Sequence, residues 1–355
     1  MYAFYILAIT DLQDLLPVLL TAISKNKKCW VCFVDSLYKK RQLYYYEPDE
    51  LKGFIKEVCK NNNLPCPEVD FFGQNDKAAF DREYQKRNPE YVFLQNVYHK
   101  YPSWLPTAES SKVINISSTD WPEKSQYRVF LNFPRYHREI ETYNKHQRNS
   151  NNKYFGNLRL ENLLFKPCIN FEIPKKLKNK KICFIPETHA RKKESHFEEY
   201  PKCVDRVIDF LHKNDYIIIW KTREKGYPYQ DETSVLKYCK NKPDIIINKD
   251  INFPSSVYYV PTIADICLTF NFTSCYEDVV QVNKNTYTLQ TPKLTKQRLE
   301  HMQHRKRLYP HCEIINFESE NCWQILKNKL TKKRELCNIT ERPSTRLLEH
   351  IEIKK

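Results

Sequence analysis

Residues 261–290, PTIADICLTFNFTSCYEDVVQVNKNTYTLQ, decide the fold class. Ile266, Cys267, Leu268, Thr269 and Phe270 form an apolar run short enough for one buried strand. Asn271, Phe272, Thr273 and Ser274 read as a turn. Glu277 follows three residues after Ser274, the spacing of a capping box, which predicts a helix from about Cys275. A second strand then runs to Gln290. A helix that opens straight after a parallel strand directs its unpaired N–H groups and positive dipole end out of the sheet's carboxyl edge, where a phosphate can bind. The pattern is equally that of an ordinary capped helix, so cap and nucleotide site are both open at this point.

The same alternation extends outward in both directions. In the first half, residues 2–9, 29–34, 69–72, 91–94, 112–116 and 128–131 read as short apolar strands. Residues 12–24, 47–61 and 77–86 have helical spacing between them, with Pro17 in the first turns of its helix. A polar passage, 137–153, follows. Residues 166–180, with Pro167, Pro174 and five lysines, read as a linker. The second half restarts the pattern, with strands at 181–185, 216–220, 244–247 and 312–317. Its helices are expected at 200–214, 232–239 and 322–330, with a helical or turn segment at 255–264. Strands alternating with helices predict mainly parallel sheets covered on both faces. The expected domains are 1–165 and 166–335, with a tail, 336–355, that packs back on the first. Two such open sheets would place a cleft between their carboxyl edges.

The chain has 355 residues, enough for two domains, and is 41% hydrophobic, enough for real cores. No apolar stretch approaches the roughly 18 residues of a membrane helix. The N-terminus, MYAFYILAIT, lacks a basic lead and reads as a first strand rather than a signal peptide. The 13 cysteines are therefore expected to be reduced, the sequons at Asn115, Asn271 and Asn338 unused, and the protein cytoplasmic. Cys29 and Cys32 have CxxC spacing within a strand, where residues three apart face opposite sides, so no metal site is expected. The four glycines supply neither a P-loop nor a GxGxxG motif. A formal net charge of +15 points to anionic ligands. Its clusters, at 175–181, 191–193, 296–307 and 327–334, are scattered, and each alone reads as a solvated face.

The order of three segments resembles the GT-B class of nucleotide-dependent glycosyltransferases. The likeness is to the group containing CDP-glycerol glycerophosphotransferases, surface-polysaccharide transferases and UDP-GlcNAc 2-epimerases. YFGNLRLENLL, residues 154–164, is similar to the group's VTGNPRxDxL segment. KICFIPETHAR at 181–191, followed by YIIIWKTR at 216–223, is similar to the opening of its second domain. Residues 264–289 resemble its ADxxITxxSSxxxEAxxxxKPVI segment. Leu158 stands where the group has proline, and Asn285 where it has the proline of Lys-Pro. The first half matches only in pattern.

The resemblance implies an α/β fold of two Rossmann-like domains facing across a cleft, the GT-B architecture. It implies a metal-independent glycosyltransferase of polysaccharide biosynthesis, with a nucleotide-sugar donor on the second domain and no separate cofactor. Thr273 and Ser274 would hold the donor diphosphate and Glu277 the ribose, against plain capping roles for both. Lys221 and Arg223, after a buried strand, would neutralise the departing diphosphate or are a solvated strand end. Thr188 and Arg191 are further phosphate contacts, Arg191 as a bidentate fork. Asp11 is the expected general base toward an acceptor hydroxyl, or caps the helix after it. Asp120, Trp121 and His137 are weaker acceptor contacts, and His189 a weaker phosphate contact. Expected partners are the donor, a glycan or lipid-linked acceptor, and peripherally an anionic membrane surface, with no specific nucleic acid. The alternatives are an epimerase or glycerophosphotransferase of the same fold and, in a different class, a basic nucleic-acid-binding protein.

Overall fold

The computed structural model describes residues 1–6, 9–34, 48–73, 75–95, 112–117, 131–134, 153–175, 179–188, 197–222, 234–248, 250–271, 274–296, 299–300, 302–303 and 313–353. The chain divides into two compact units, 1–168 with 340–355, and 169–339.

In the first unit, β1 (Tyr2–Ile6), β2 (Cys29–Val34), β3 (Glu68–Phe72), β4 (Tyr91–Gln95), β5 (Lys112–Ser117) and β6 (Leu131–Pro134) form one sheet in the order β3-β2-β1-β4-β5-β6. Every pairing in it is parallel. β1, β2 and β4 are buried along their whole length. Such runs, apolar without alternation, are what helices on both faces require. The helices are α1 (Ile9–Ser24), α2 (Pro48–Asn61), α3 (Lys77–Arg87), α4 (Leu158–Glu161) and, from the far end of the chain, the helix Pro343–Ile353. On one face Tyr5, Trp30, Phe72, Phe80 and Tyr84 pack as an aromatic cluster. Arg87 lies 4.7 Å over the Trp30 ring, and Trp30 Nε1 donates to Asp70 at 2.8 Å.

Helix α1 begins at Ile9, three residues before the expected start and within the span expected for the first strand. Pro17 therefore sits deep in the helix rather than in its first turns. A proline there cannot donate to the carbonyl four residues back, that of Gln13. Asn162 supplies the missing donor, its Nδ2 reaching Gln13 O at 2.9 Å. Asn162 belongs to the 154–164 segment, and that whole segment proves to be a clasp. Asn157 caps α4 by accepting from Arg159 N at 3.0 Å. The Arg159 guanidinium grips Asp14 of α1 through Nε and, at 2.8 Å, through Nη2. Glu161 accepts from Ser344 N at 2.8 Å and from Ser344 Oγ, which also meets Thr21 Oγ1 at 2.7 Å. Gly156 has φ +128°, and a Cβ there would lie 2.8 Å from Glu341 Oε2 and 3.2 Å from Pro343 Cβ. Only glycine meets both demands at once. Residues 154–164 thus tie the C-terminal helix to α1.

The expected linker is short. Asn61 and Asn62 hold the backbone of Lys166 and Pro167 on the first unit. Asn170 bonds to Ile251 and Asn252 on the second. The second sheet is β7 (Lys181–Pro186), β8 (Tyr216–Lys221), β9 (Ile245–Ile247), β10 (Ile266–Phe270), β11 (Thr286–Gln290) and β12 (Ile314–Asn316), in the order β12-β11-β10-β7-β8-β9, again all parallel. Counted from β7, this is the same doubly wound 3-2-1-4-5-6 order as in the first unit. Among the described residues, its helices include α5 (Glu199–Lys213), α6 (Ser256–Ile263), α7 (Ser274–Val280) and α8 (Cys322–Leu330), and the C-terminal Pro343–Ile353 is labelled α9. Helix α5 buries Tyr200, Cys203, Val204, Val207, Ile208 and Leu211, one face at 3.6-residue spacing. At about 1.5–3 kcal/mol per fully buried apolar side chain, that face alone anchors the helix firmly. In place of the helix expected at 232–239, the described residues show a 3-10 turn, Val235–Tyr238.

Candidate functional site

In a doubly wound sheet the strand order reverses at a switch point, and the crevice outside the carboxyl ends there accepts ligands. In the second unit this point lies between β7 and β10. Thr188 follows β7, is 2% exposed, and donates its hydroxyl to the carbonyl of Phe270, the last residue of β10. The two strand ends are thereby locked together. The preceding residue, Glu187, is spent on structure. Its carboxylate accepts from Trp220 Nε1 at 3.3 Å, Ser234 Oγ at 2.9 Å and Val235 N at 2.5 Å, holding the 3-10 turn on the sheet. Burial, and then the Glu187 charge, push the Tyr200 hydroxyl far above its ordinary range, while Thr188 opposes the rise.

Asn271 follows β10 with φ +41°, a left-handed turn that asparagine tolerates. Its amide pairs reciprocally with Thr291 after β11, Nδ2 to Oγ1 at 2.6 Å and Thr291 N to Oδ1 at 2.7 Å. Helix α7 then begins at Ser274 itself, one residue earlier than the expected Cys275. Glu277 stands in its first turn, 1% exposed. The next residue, Asp278, receives the Tyr258 hydroxyl of α6 at 2.5 Å, which fixes α7 against α6.

Lys221 is the last residue of β8. Its side chain is 19% exposed and its Nζ lies 3.6 Å from Asp250 Oδ2. Asp250 in turn accepts from Asn252 Nδ2 at 2.8 Å, Ser255 Oγ at 3.1 Å, Ser256 N at 2.9 Å and Ser256 Oγ at 2.8 Å. It caps α6 from outside the helix and holds the lysine at the sheet edge. An ammonium held in place is better prepared to meet a developing charge than a free surface lysine.

Of the expected donor residues, Thr188, Lys221, Ser274 and Glu277 all fall at the carboxyl edge of this one sheet. Arg191, Arg223, Thr273 and the weaker candidate His189 lie outside the described residues, as do Asp120, Trp121 and His137. Asp11 belongs to the first unit, in the first turn of α1 and 7% exposed. Because α1 starts at Ile9, Asp11 is inside the helix rather than at its cap. Sequence reasoning did not single out Asp250 or the Asn271–Thr291 pair. The available signal for Asp250 was an acid five and six residues ahead of the paired Ser255-Ser256 before an apolar helix.

The fold has close counterparts among solved structures. A putative UDP-N-acetylglucosamine 2-epimerase from Listeria monocytogenes superposes with a TM-score of 0.62 at 10% identity, covering 99% of this chain and 95% of that one. A co-structure of S. aureus MnaA with UDP gives 0.60 at 12% identity, covering 100% and 96%. UDP-N-acetylglucosamine 2-epimerase from Rickettsia bellii gives 0.55 at 12% identity, covering 99% and 96%. The chain has the two-domain Rossmann-like fold of the GT-B group. No protein-family model matches its sequence, and no curated protein does either. Among the described residues, no helix is long and apolar enough to cross a membrane.

Proposed function

We propose that the protein is an enzyme acting on a nucleotide-activated sugar, held by the second unit at the carboxyl edge between β7 and β10. One observation carries this reading: the switch point of a doubly wound parallel sheet is braced by the Thr188–Phe270 and Asn271–Thr291 bonds. The fold likeness to a structure described as a UDP complex supports it. Thr273 and Ser274 contact the diphosphate and Glu277 the ribose. Lys221, with Arg223 and Arg191, balances the charge that develops on the leaving diphosphate. The Thr188 hydroxyl, already engaged, shapes the site rather than donating to the ligand.

The reaction we favour is transfer of the sugar to a hydroxyl acceptor carried by the first unit, with Asp11 as base. Residues of the protein, not a metal, then stabilise the leaving group. A second reading, rearrangement of the sugar while it stays on its nucleotide, is favoured by the fold likeness to UDP-N-acetylglucosamine 2-epimerases. A thermal-shift series with UDP, GDP, CDP and ADP tests the shared premise. A rise in melting temperature with one base names the donor class by linkage, and no rise with any base overturns the proposal. Product analysis on the matching nucleotide sugar then separates the reactions. Transfer releases nucleoside diphosphate only when acceptor is present; rearrangement yields an isomeric nucleotide sugar without acceptor and without release.

A further inference from the structure

Two basic clusters that the donor site leaves unused meet at the opposite, amino edge of the second sheet. Lys180 and Lys181 stand where β7 begins, and KNKLTKKR, residues 327–334, ends α8 and runs on past it. The join is well defined. Tyr216, which opens β8, donates its hydroxyl to Leu330 O at 2.8 Å, and Lys181 Nζ lies 5.7 Å from the Tyr216 ring. Lys329 and Lys332 lie 5.4 and 5.9 Å from the ring of Tyr287 near the start of β11. Asn285 holds Lys333 O at 2.5 Å, and Arg334 reaches Thr262 O at 3.2 Å.

The acids along this edge are already engaged. Asp215 pairs with Lys180, Glu335 with Lys284, and Glu313 with Lys329. Asp265 accepts from Ile182 N at 2.8 Å, and Asp244 from Ile218 N at 2.9 Å. Lys181, Lys327, Lys332, Lys333 and Arg334 are all exposed, and among the described residues no acid forms an ion pair with them. Leu336 follows in the same strand of chain, 43% exposed.

We propose that this edge is a docking surface for an anionic membrane, its cations meeting lipid headgroups and Leu336 entering the interface. A cationic surface with a single apolar residue beside it fits a charged bilayer. Tyr216 and Tyr287 are 4% and 2% exposed, so they offer no face on which nucleic-acid bases could stack. The surface is independent of the donor reading, because it lies at the other end of the parallel strands.

The test is co-sedimentation of the full chain with vesicles of phosphatidylcholine containing phosphatidylglycerol, against phosphatidylcholine alone. Binding is expected only to the anionic vesicles and is lost at high salt. At about fivefold per cation, Lys332→Glu with Lys333→Glu and Arg334→Glu weakens partitioning about a hundredfold or more. The double variant Lys332→Arg with Lys333→Arg retains it. Melting temperature and nucleotide response stay those of the parent. Should the triple reversal lower the melting temperature, Lys332→Ala with Lys333→Ala takes its place, with a loss of about 25-fold expected. Equal binding to neutral vesicles, or unchanged binding by a folded variant, overturns the proposal. So does displacement from vesicles by single-stranded RNA that depends on these same residues, which would make the surface a nucleic-acid site.

Discussion

A double-mutant cycle on Pro17 and Asn162 probes the reasoning behind the 154–164 clasp most directly. Pro17 leaves Gln13 O without a helical donor, and Asn162 Nδ2 fills the gap at 2.9 Å. Both ends are buried, Gln13 at 7% and Asn162 at 1% exposure. Asn162→Leu keeps the volume roughly constant but donates nothing. A buried carbonyl stripped of its partner costs about 1–3 kcal/mol. Asn162 Oδ1 has no hydrogen-bond partner among the described residues, so its removal offsets part of that cost. The single variant is therefore a blunt measure, and the cycle is sharper. Pro17→Ala restores a backbone N–H that can donate to Gln13 O. In that background Asn162→Leu should cost less, by a coupling of about 1–2 kcal/mol. Urea unfolding of the full chain, following the transition of the first unit, measures all four corners. An Asn162→Leu penalty equal in both backgrounds would refute the idea that the amide is there to serve the proline-freed carbonyl.

Further outcomes follow from the same contacts. Arg159→Ala leaves Asp14, 1% exposed, as an uncompensated buried charge and should cost about 3 kcal/mol or more in unfolding experiments. Gly156→Ala must adopt φ +128° and displace Glu341 or Pro343; a loss of about 1–3 kcal/mol is expected, with earlier proteolysis of α9 than in the parent. Burial raises the Glu161 carboxyl above its ordinary value, against the lowering by Ser344, Arg342 and Arg346. Such a group stabilises the fold below its unfolded pKa and loses that contribution as pH rises through the folded value. Relative to Glu161→Gln, the parent should therefore lose stability as pH rises above the ordinary carboxylate range; a constant difference would show that Glu161 is not the group responsible. Thr188→Val removes the donor to Phe270 O and should cost about 1–2 kcal/mol while leaving nucleotide affinity within a few-fold. An affinity collapse without destabilisation would mean that the hydroxyl serves the ligand instead.

Much of the fold was legible from local pattern because burial on a sheet with two covered faces leaves a local trace. The runs at Tyr2–Ile6, Cys29–Val34 and Ile266–Phe270 are apolar without alternation, and the Glu199–Lys213 face repeats every 3.6 residues. Boundaries were less legible. Helix α1 starts at Ile9 because tertiary burial and the Asn162 bond tolerate a proline that propensity alone places near a helix start. The 3-10 turn at Val235–Tyr238 is held by Glu187, a partner about 48 residues away that no local window contains.

The candidate site divides along the same line. Sequence alone placed Thr188, Lys221, Ser274 and Glu277 after strands or at a helix start, and in parallel sheets such positions share the carboxyl edge. It did not reveal that Lys221 is held by Asp250, that the Thr188 hydroxyl is already bonded to Phe270, or that Asn157, Arg159, Glu161 and Asn162 each clasp a different neighbour. Periodicity records which residues leave water, because burial repeats with the local geometry of helix and strand. Hydrogen-bond and ion-pair partners 29 to 183 residues apart are chosen only when the sheet order brings them together, and for this protein that order was decided by the tertiary structure.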